Sequence, residues 1–198
     1  FAGETFTKEE KKFGLKQALR NNEIKPILGS CAISGYGVGE VLSFICNFAP
    51  VHCEKGTIEV DGKTVETKDD APFTGRVFKT VVDPFVGKIS YLKIMSGSLS
   101  LSTPLYNANK DVNEKAGALY VMCGKKQQTV DKAYCGDIVA LTKLSQTETC
   151  DTLCTKDLVV KYPPIEYPRP MLGMAISPKT KDDEDKMSDA LKKILIED

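Results

Sequence analysis

The chain has 198 residues, 27 basic and 27 acidic side chains, and an apolar share of 41%. That length fits one or two domains with a real core, and the cancelling charges exclude a chain-wide polyelectrolyte. No apolar run approaches the roughly 20 residues that span a bilayer, so no membrane partner is expected.

The start, Phe1-Ala2-Gly3-Glu4, has no initiator Met and no signal-peptide layout. It reads as a cut from a longer chain. Seven cysteines occur at irregular spacing: Cys31, Cys46, Cys53, Cys123, Cys135, Cys150 and Cys154. There is no C-x-x-C pair, and His52 is the one histidine. Four convergent zinc ligands are not available on that pattern. Reduced thiols in a cytoplasmic, reducing compartment are expected instead.

Thr7 with Glu10 is a capping box and opens a helix with Leu15, Ala18 and Leu19 on one face. Residues 24–28, Ile-Lys-Pro-Ile-Leu, read as a short extended strand, because Pro26 opposes helix. A glycine-punctuated loop follows, from Gly29 to Gly37. Val38, Val41, Leu42, Ile45 and Cys46 then mark one face of a helix over about 38–48, stopped at Pro50. Helix, strand, loop and helix over 1–50 make the tail of an α/β domain, which cannot fill a core alone.

Residues 51–71 carry 3 basic and 6 acidic side chains and read as a linker, with Asp61-Gly62 as a hairpin turn. From residue 72 to 163 short β-rich runs recur: 74–82, 88–95, 104–107, 116–123, 137–142 and 152–160. Asp83-Pro84, Ser96-Gly97, Asn107–Asn113, Gly124 and Gly136-Asp137 punctuate them. No long helix is available to cover a sheet face, so a six-stranded antiparallel β-barrel is expected. This module holds 12 basic and 8 acidic residues, a mildly basic surface. Pro163-Pro164 and Pro168-x-Pro170 form a stiff boundary. A strand at 171–176 and a helix at about 181–196, capped by Thr180, complete a βα unit over 164–198. Asp182-Asp183-Glu184-Asp185 at the helix start complements the helix dipole, and no metal site is expected there.

Several of these runs resemble the translational GTPases of the elongation factor G type. They are Phe78 through Ile89, Ser96-Gly97-Ser98-Leu99, Leu105-Tyr106-Asn107, Gly136 through Ala140, and Asp151-Thr152-Leu153-Cys154. Ile176 through Lys181, with Ala190-Leu191, resembles the opening of that family's third domain. Pro26 through Val38 resembles its last guanine-binding loop. Lys93 stands where that family typically has Arg, and Lys143 and Cys150 stand where it often has Gly.

The resemblance implies a mainly β chain: the end of a GTPase domain at 1–50, a linker at 51–71, a whole second-domain barrel at 72–163, and the first strand and helix of a third domain at 164–198. It implies a parent enzyme that uses GTP and Mg²⁺ in the elongation phase of protein synthesis and docks on small-subunit ribosomal RNA. No G-x-x-x-x-G-K-[ST] and no Asn-Lys-x-Asp occur. No catalytic residue, no metal ligand and no cofactor are therefore expected in this chain by itself. Ser30, Cys31 and Ala32 correspond to the loop that touches guanine. Lys88, Lys93, Lys125 and Lys126 are the candidate RNA-facing cations. No DNA partner is expected, and the chain is expected to be monomeric or weakly dimeric. A ribosomal-protection GTPase of the tetracycline-resistance type, or a stand-alone β-barrel module binding RNA or protein, are the alternatives.

Overall fold

The computed structural model describes residues 5–124 and 126–197. It divides into two compact units, 1–54 and 55–198.

In the first unit, α1 (Lys8–Arg20) begins at the capping box. The Thr7 N–H donates to Glu10 Oε2 at 2.8 Å, and the Glu10 N–H donates to Thr7 Oγ1 at 3.3 Å. The second helix, α2 (Val38–Phe48), starts after Gly37, whose φ is 73°. Its apolar stripe stays open, with Leu42 58% and Ile45 51% exposed. No residue between 5 and 54 is buried. The strand expected at 24–28 does not form. Pro26 has no N–H to give a ladder, and the only pairing among the described residues nearby is an isolated bridge between Cys31 and Tyr36.

The second unit opens with the hairpin β1 (Thr57–Val60) and β2 (Lys63–Glu66). Asp61 (φ 54°) and Gly62 (φ 70°) turn it with the left-handed backbone that suits tight hairpins. This hairpin lies inside the expected linker, yet it is packed: Val60 and Val65 are buried with Val160 and Tyr162.

The main sheet holds β3 (Thr74–Asp83), β4 (Gly87–Ser96), β6 (Leu105–Asn107), β7 (Val112–Glu114), β8 (Leu119–Cys123), β9 (Lys126–Thr129), β11 (Ile138–Thr142) and β12 (Thr152–Cys154). Two further strands, β5 (Leu99–Ser100) and β10 (Lys132–Ala133), pair with each other. The order is β7-β6-β12-β3-β4-β11-β8-β9, antiparallel throughout.

The mainly β class holds, but the count is eight strands rather than six, and no ladder closes β7 on β9 among the described residues. The two extra strands are β7, Val-Asn-Glu, and β9, Lys-Gln-Gln-Thr. Their polar sequences lack the alternation that marks a strand. One core nevertheless joins distant parts of the order, for Val77, Leu92, Leu105, Leu119, Leu141 and Leu153 share a single buried cluster.

The third helix, α3 (Asp183–Glu197), rests near β3, where the Val82 N–H donates to Glu197 Oε1 at 2.7 Å. Residues 171–176 form no strand: Met171, Leu172, Met174 and Ile176 are all exposed and join no ladder. The βα unit is thus present only as its helix, because a strand needs a neighbour to accept its hydrogen bonds.

Lys143 and Cys150 have φ of 61° and 76°, so the glycines expected at these positions would be conformationally easier. An L-residue in that region costs about 1–2 kcal/mol, while glycine loses about 0.5–1 kcal/mol in chain entropy. Lys143→Gly is therefore expected to stabilise the protein by about 0.5 kcal/mol, read as a small rise in the urea midpoint. No gain would mean that the Lys143 stem lying over Gly117 offsets the backbone relief.

Candidate nucleic-acid interface

The four candidate lysines do not share one surface. Lys88 and Lys93 sit five residues apart on β4, and side chains alternate along a strand. They therefore point to opposite faces. Lys88 shares a face with buried Ser90, Leu92 and Ile94. Burial holds its ammonium below the ordinary lysine range, against the opposing pull of Glu148 and with a further push from Lys110. Lys126 is exposed on β9 at the end of the sheet. Lys125 lies outside the described residues.

Lys93 has company. It pairs in register with Arg76 of β3 on one side and with Ile138 of β11 on the other. Arg76, Phe78, Lys93, Met95, Ile138 and Tyr162 line a groove of about 340 Å³. The register explains how they meet. Val77 pairs with Leu92 and Lys79 with Tyr91, so Phe78 is the extra residue of a β-bulge. Thr74 pairs with Ser96 and Gly75 with Ile94, so Met95 is the extra residue of a second irregularity. Alternation along each strand puts Phe78 on the face of Arg76 and Met95 on the face of Lys93, and both line the same groove. Tyr162 closes one end, fixed by a 2.9 Å hydrogen bond between its hydroxyl and Thr74 Oγ1.

The groove is cationic without compensation. Neither Arg76 nor Lys93 enters an ion pair among the described residues. Arg76 Nε is out of solvent with no hydrogen-bond partner there. Arg76 is the residue that sequence reasoning missed. A single arginine in a β run carries no local signal.

A second polar cluster, on another part of the sheet, is structural. Glu114 accepts from the N–H groups of Ser145, Gln146 and Thr147 at 3.1, 2.7 and 2.8 Å, and from the hydroxyls of Ser145 and Thr147 at 3.2 and 2.9 Å. Asn107 Nδ2 donates to Asp151 Oδ2 at 2.8 Å. Lys110 pairs with Glu148 at 2.7 Å. These contacts fasten the loop between β11 and β12.

The guanine-loop candidates Ser30, Cys31 and Ala32 are all exposed. The Cys31 N–H donates to Tyr36 O at 2.8 Å, and the Gly35 N–H donates to Cys31 O at 2.9 Å. A Cβ on Gly37 would stand 2.5 Å from Gly29 O, so glycine is required where the loop closes. The Ser34 hydroxyl, then the Ser34 and Ile33 N–H groups, hold the Cys31 thiol below the usual cysteine range. The Cys31 N–H is committed within the loop by its bond to Tyr36 O. The described residues contain no cluster of metal-ligating side chains, and no helix among them is long and apolar enough to cross a membrane.

Comparison with known proteins agrees with this architecture. The family model for elongation factor G domain 2 matches residues 72–156, and that for elongation factor G domain III matches 167–198. The chain thus carries a domain 2 match followed by a domain III match. Elongation factor G from two strains of Dehalococcoides mccartyi is 34% identical over the whole chain. A crystal structure from Thermus thermophilus superposes with a TM-score of 0.79 at 27% identity, over 99% of this chain and 28% of that one. The chain belongs to the elongation factor G family of translational GTPases. It spans 29% of the length of the Dehalococcoides relatives, and the matches do not favour the ribosomal-protection or stand-alone alternatives.

Proposed function

We propose that this chain is the ribosome-docking segment of a translation elongation factor, with its second-domain sheet facing small-subunit ribosomal RNA. The carrying observation is the Arg76–Lys93 pair, two adjacent cations with no carboxylate between them. Phosphate contact supplies the sequence-independent part of RNA binding. Lys93 is a point charge, while the Arg76 guanidinium can grip a phosphate with two parallel hydrogen bonds. Co-sedimentation of the 198-residue chain with purified small ribosomal subunits tests this. Arg76→Glu is expected to release it from the subunit at a salt concentration that retains the parent. Equal retention would refute the assignment.

GTP and Mg²⁺ belong to the whole factor on this reading, and hydrolysis of GTP would drive its cycle in the cytoplasm. The residues of this chain do not fit the nucleotide by themselves. Ser30 and Ala32 offer donors to the guanine edge, but no phosphate-cradling motif occurs in the sequence. Titration with a fluorescent guanine nucleotide is expected to show no saturation up to about 100 μM. Micromolar binding would contradict it.

A further inference from the structure

We propose that the groove beside Arg76 and Lys93 receives one unstacked nucleotide of an RNA strand, with its phosphate on the two cations and its base against Phe78, Met95 and Ile138. This rests on the reading that the β3–β4 face meets RNA, and it names what that face would recognise.

Four observations converge on it. First, Arg76 and Lys93 stand directly opposite each other in the ladder. Like charges at such a position destabilise a sheet, so the pair is costly unless an anion sits between them. Second, Arg76 Nε is withdrawn from water yet has no acceptor among the described residues. A buried donor in that state gains the most from an incoming oxygen. Third, Phe78 lies two residues from Arg76 and Met95 two from Lys93, so strand alternation puts both apolar side chains on the face of the two cations, and both line the groove. Fourth, Ile138, in register beside Lys93, is 54% exposed. An exposed isoleucine next to two cations suits a flat apolar ring better than water.

Together they give a groove of about 340 Å³ lined by both cations and apolar side chains. A duplex offers phosphates but keeps its bases stacked, so it would use only the cations. A single strand or a splayed loop can use both, as single-strand binders do when bases stack on apolar and aromatic side chains. An acidic peptide with a neighbouring aromatic residue is the competing occupant. The second-domain module holds 12 basic and 8 acidic residues, and a chain of regularly spaced phosphates exploits that surplus better than a single carboxylate.

The test uses the full 198-residue chain and three probes: a single-stranded RNA decamer carrying one 2-aminopurine, the same strand in a duplex, and an acidic hexapeptide containing phenylalanine. The single strand is expected to bind on the order of tenfold more tightly than the duplex, and its 2-aminopurine emission is expected to change on binding. Ile138→Asn and Ile138→Asp are expected to reduce that preference to near one. Ile138 is exposed, so both variants should fold, and the neutral Asn separates lost apolar contact from added charge. Lys93→Glu is expected to weaken single strand and duplex alike. Equal binding of the two RNAs, with no effect of Ile138→Asn but a loss with Lys93→Glu, overturns the nucleotide pocket and leaves backbone docking intact. No effect of Lys93→Glu on either RNA overturns both. Tighter binding of the peptide than of the single strand overturns the nucleotide assignment in favour of a protein partner.

Discussion

Glu114→Ala is expected to destabilise the second unit by about 3 kcal/mol. The carboxylate is buried and serves three backbone N–H groups and two hydroxyls across 31–33 residues of chain. Alanine leaves those donors without an acceptor. Hydrogen bonds to a charged group are worth about 1.5–3 kcal/mol each, but Ser145 and Gln146 are exposed, so water recovers part of the loss. The buried Thr147 N–H recovers least. Urea unfolding of parent and variant measures the difference. A loss below about 1 kcal/mol would show that the loop between β11 and β12 holds without this anchor.

The same residue sets an acid dependence. Burial pushes the Glu114 carboxyl up, and the hydrogen bonds from Gln146, Thr147 and Ser145 together outweigh it, so the net direction is downward. A carboxyl held below its unfolded value of about 4.3 contributes its full stability above that pH. The contribution falls as pH drops through the lowered value. The stability gap between parent and Glu114→Gln is therefore expected to be constant from neutral pH to about 5 and to shrink below about 4.

Gly97→Ala is the second large effect, expected at about 3–4 kcal/mol. Gly97 has φ 72°, and a Cβ there would lie 2.4 Å from Ala71 O and 2.7 Å from Phe73 N. Its N–H also donates to Lys68 O at 2.8 Å. The backbone segment leading into β3 would have to move, and with it the start of the main sheet. Gly87 is the control. Its φ is 82°, but no atom lies within 4 Å of the added Cβ. Gly87→Ala therefore carries only the left-handed penalty, about 1–2 kcal/mol. Comparable losses at both sites would show that conformation, not collision, governs Gly97.

Asp61-Gly62, Asp83-Pro84 through Gly87, and Ser96-Gly97 were legible in the sequence, because turn chemistry is local. So were both helix starts in the first unit. The strand at 24–28 and the strand at 171–176 were not decided locally. Each has an extended composition, but a strand exists only where another strand accepts its hydrogen bonds. Asn107–Asn113 was readable as a turn, while the role of Asn107 and Glu114 as anchors depended on a loop more than 30 residues away.

The candidate interface was half legible. Lys93 could be named, and its odd spacing from Lys88 already implied opposite faces. Arg76 could not be found, since its place beside Lys93 is a matter of register between two strands. The bulge at Phe78 is invisible for the same reason. Only pairing reveals which residue is extra.

The docking of the Arg76–Lys93 face on RNA is tested most directly by salt dependence. Affinity of the full chain for purified small ribosomal subunits is measured from about 50 to 200 mM salt, for the parent and for a variant carrying both Arg76→Glu and Lys93→Glu. Two lost phosphate contacts predict a log–log slope shallower by about two and a binding constant weaker by on the order of a hundredfold at the low-salt end. An unchanged slope with unchanged affinity would contradict the docking of this face on RNA.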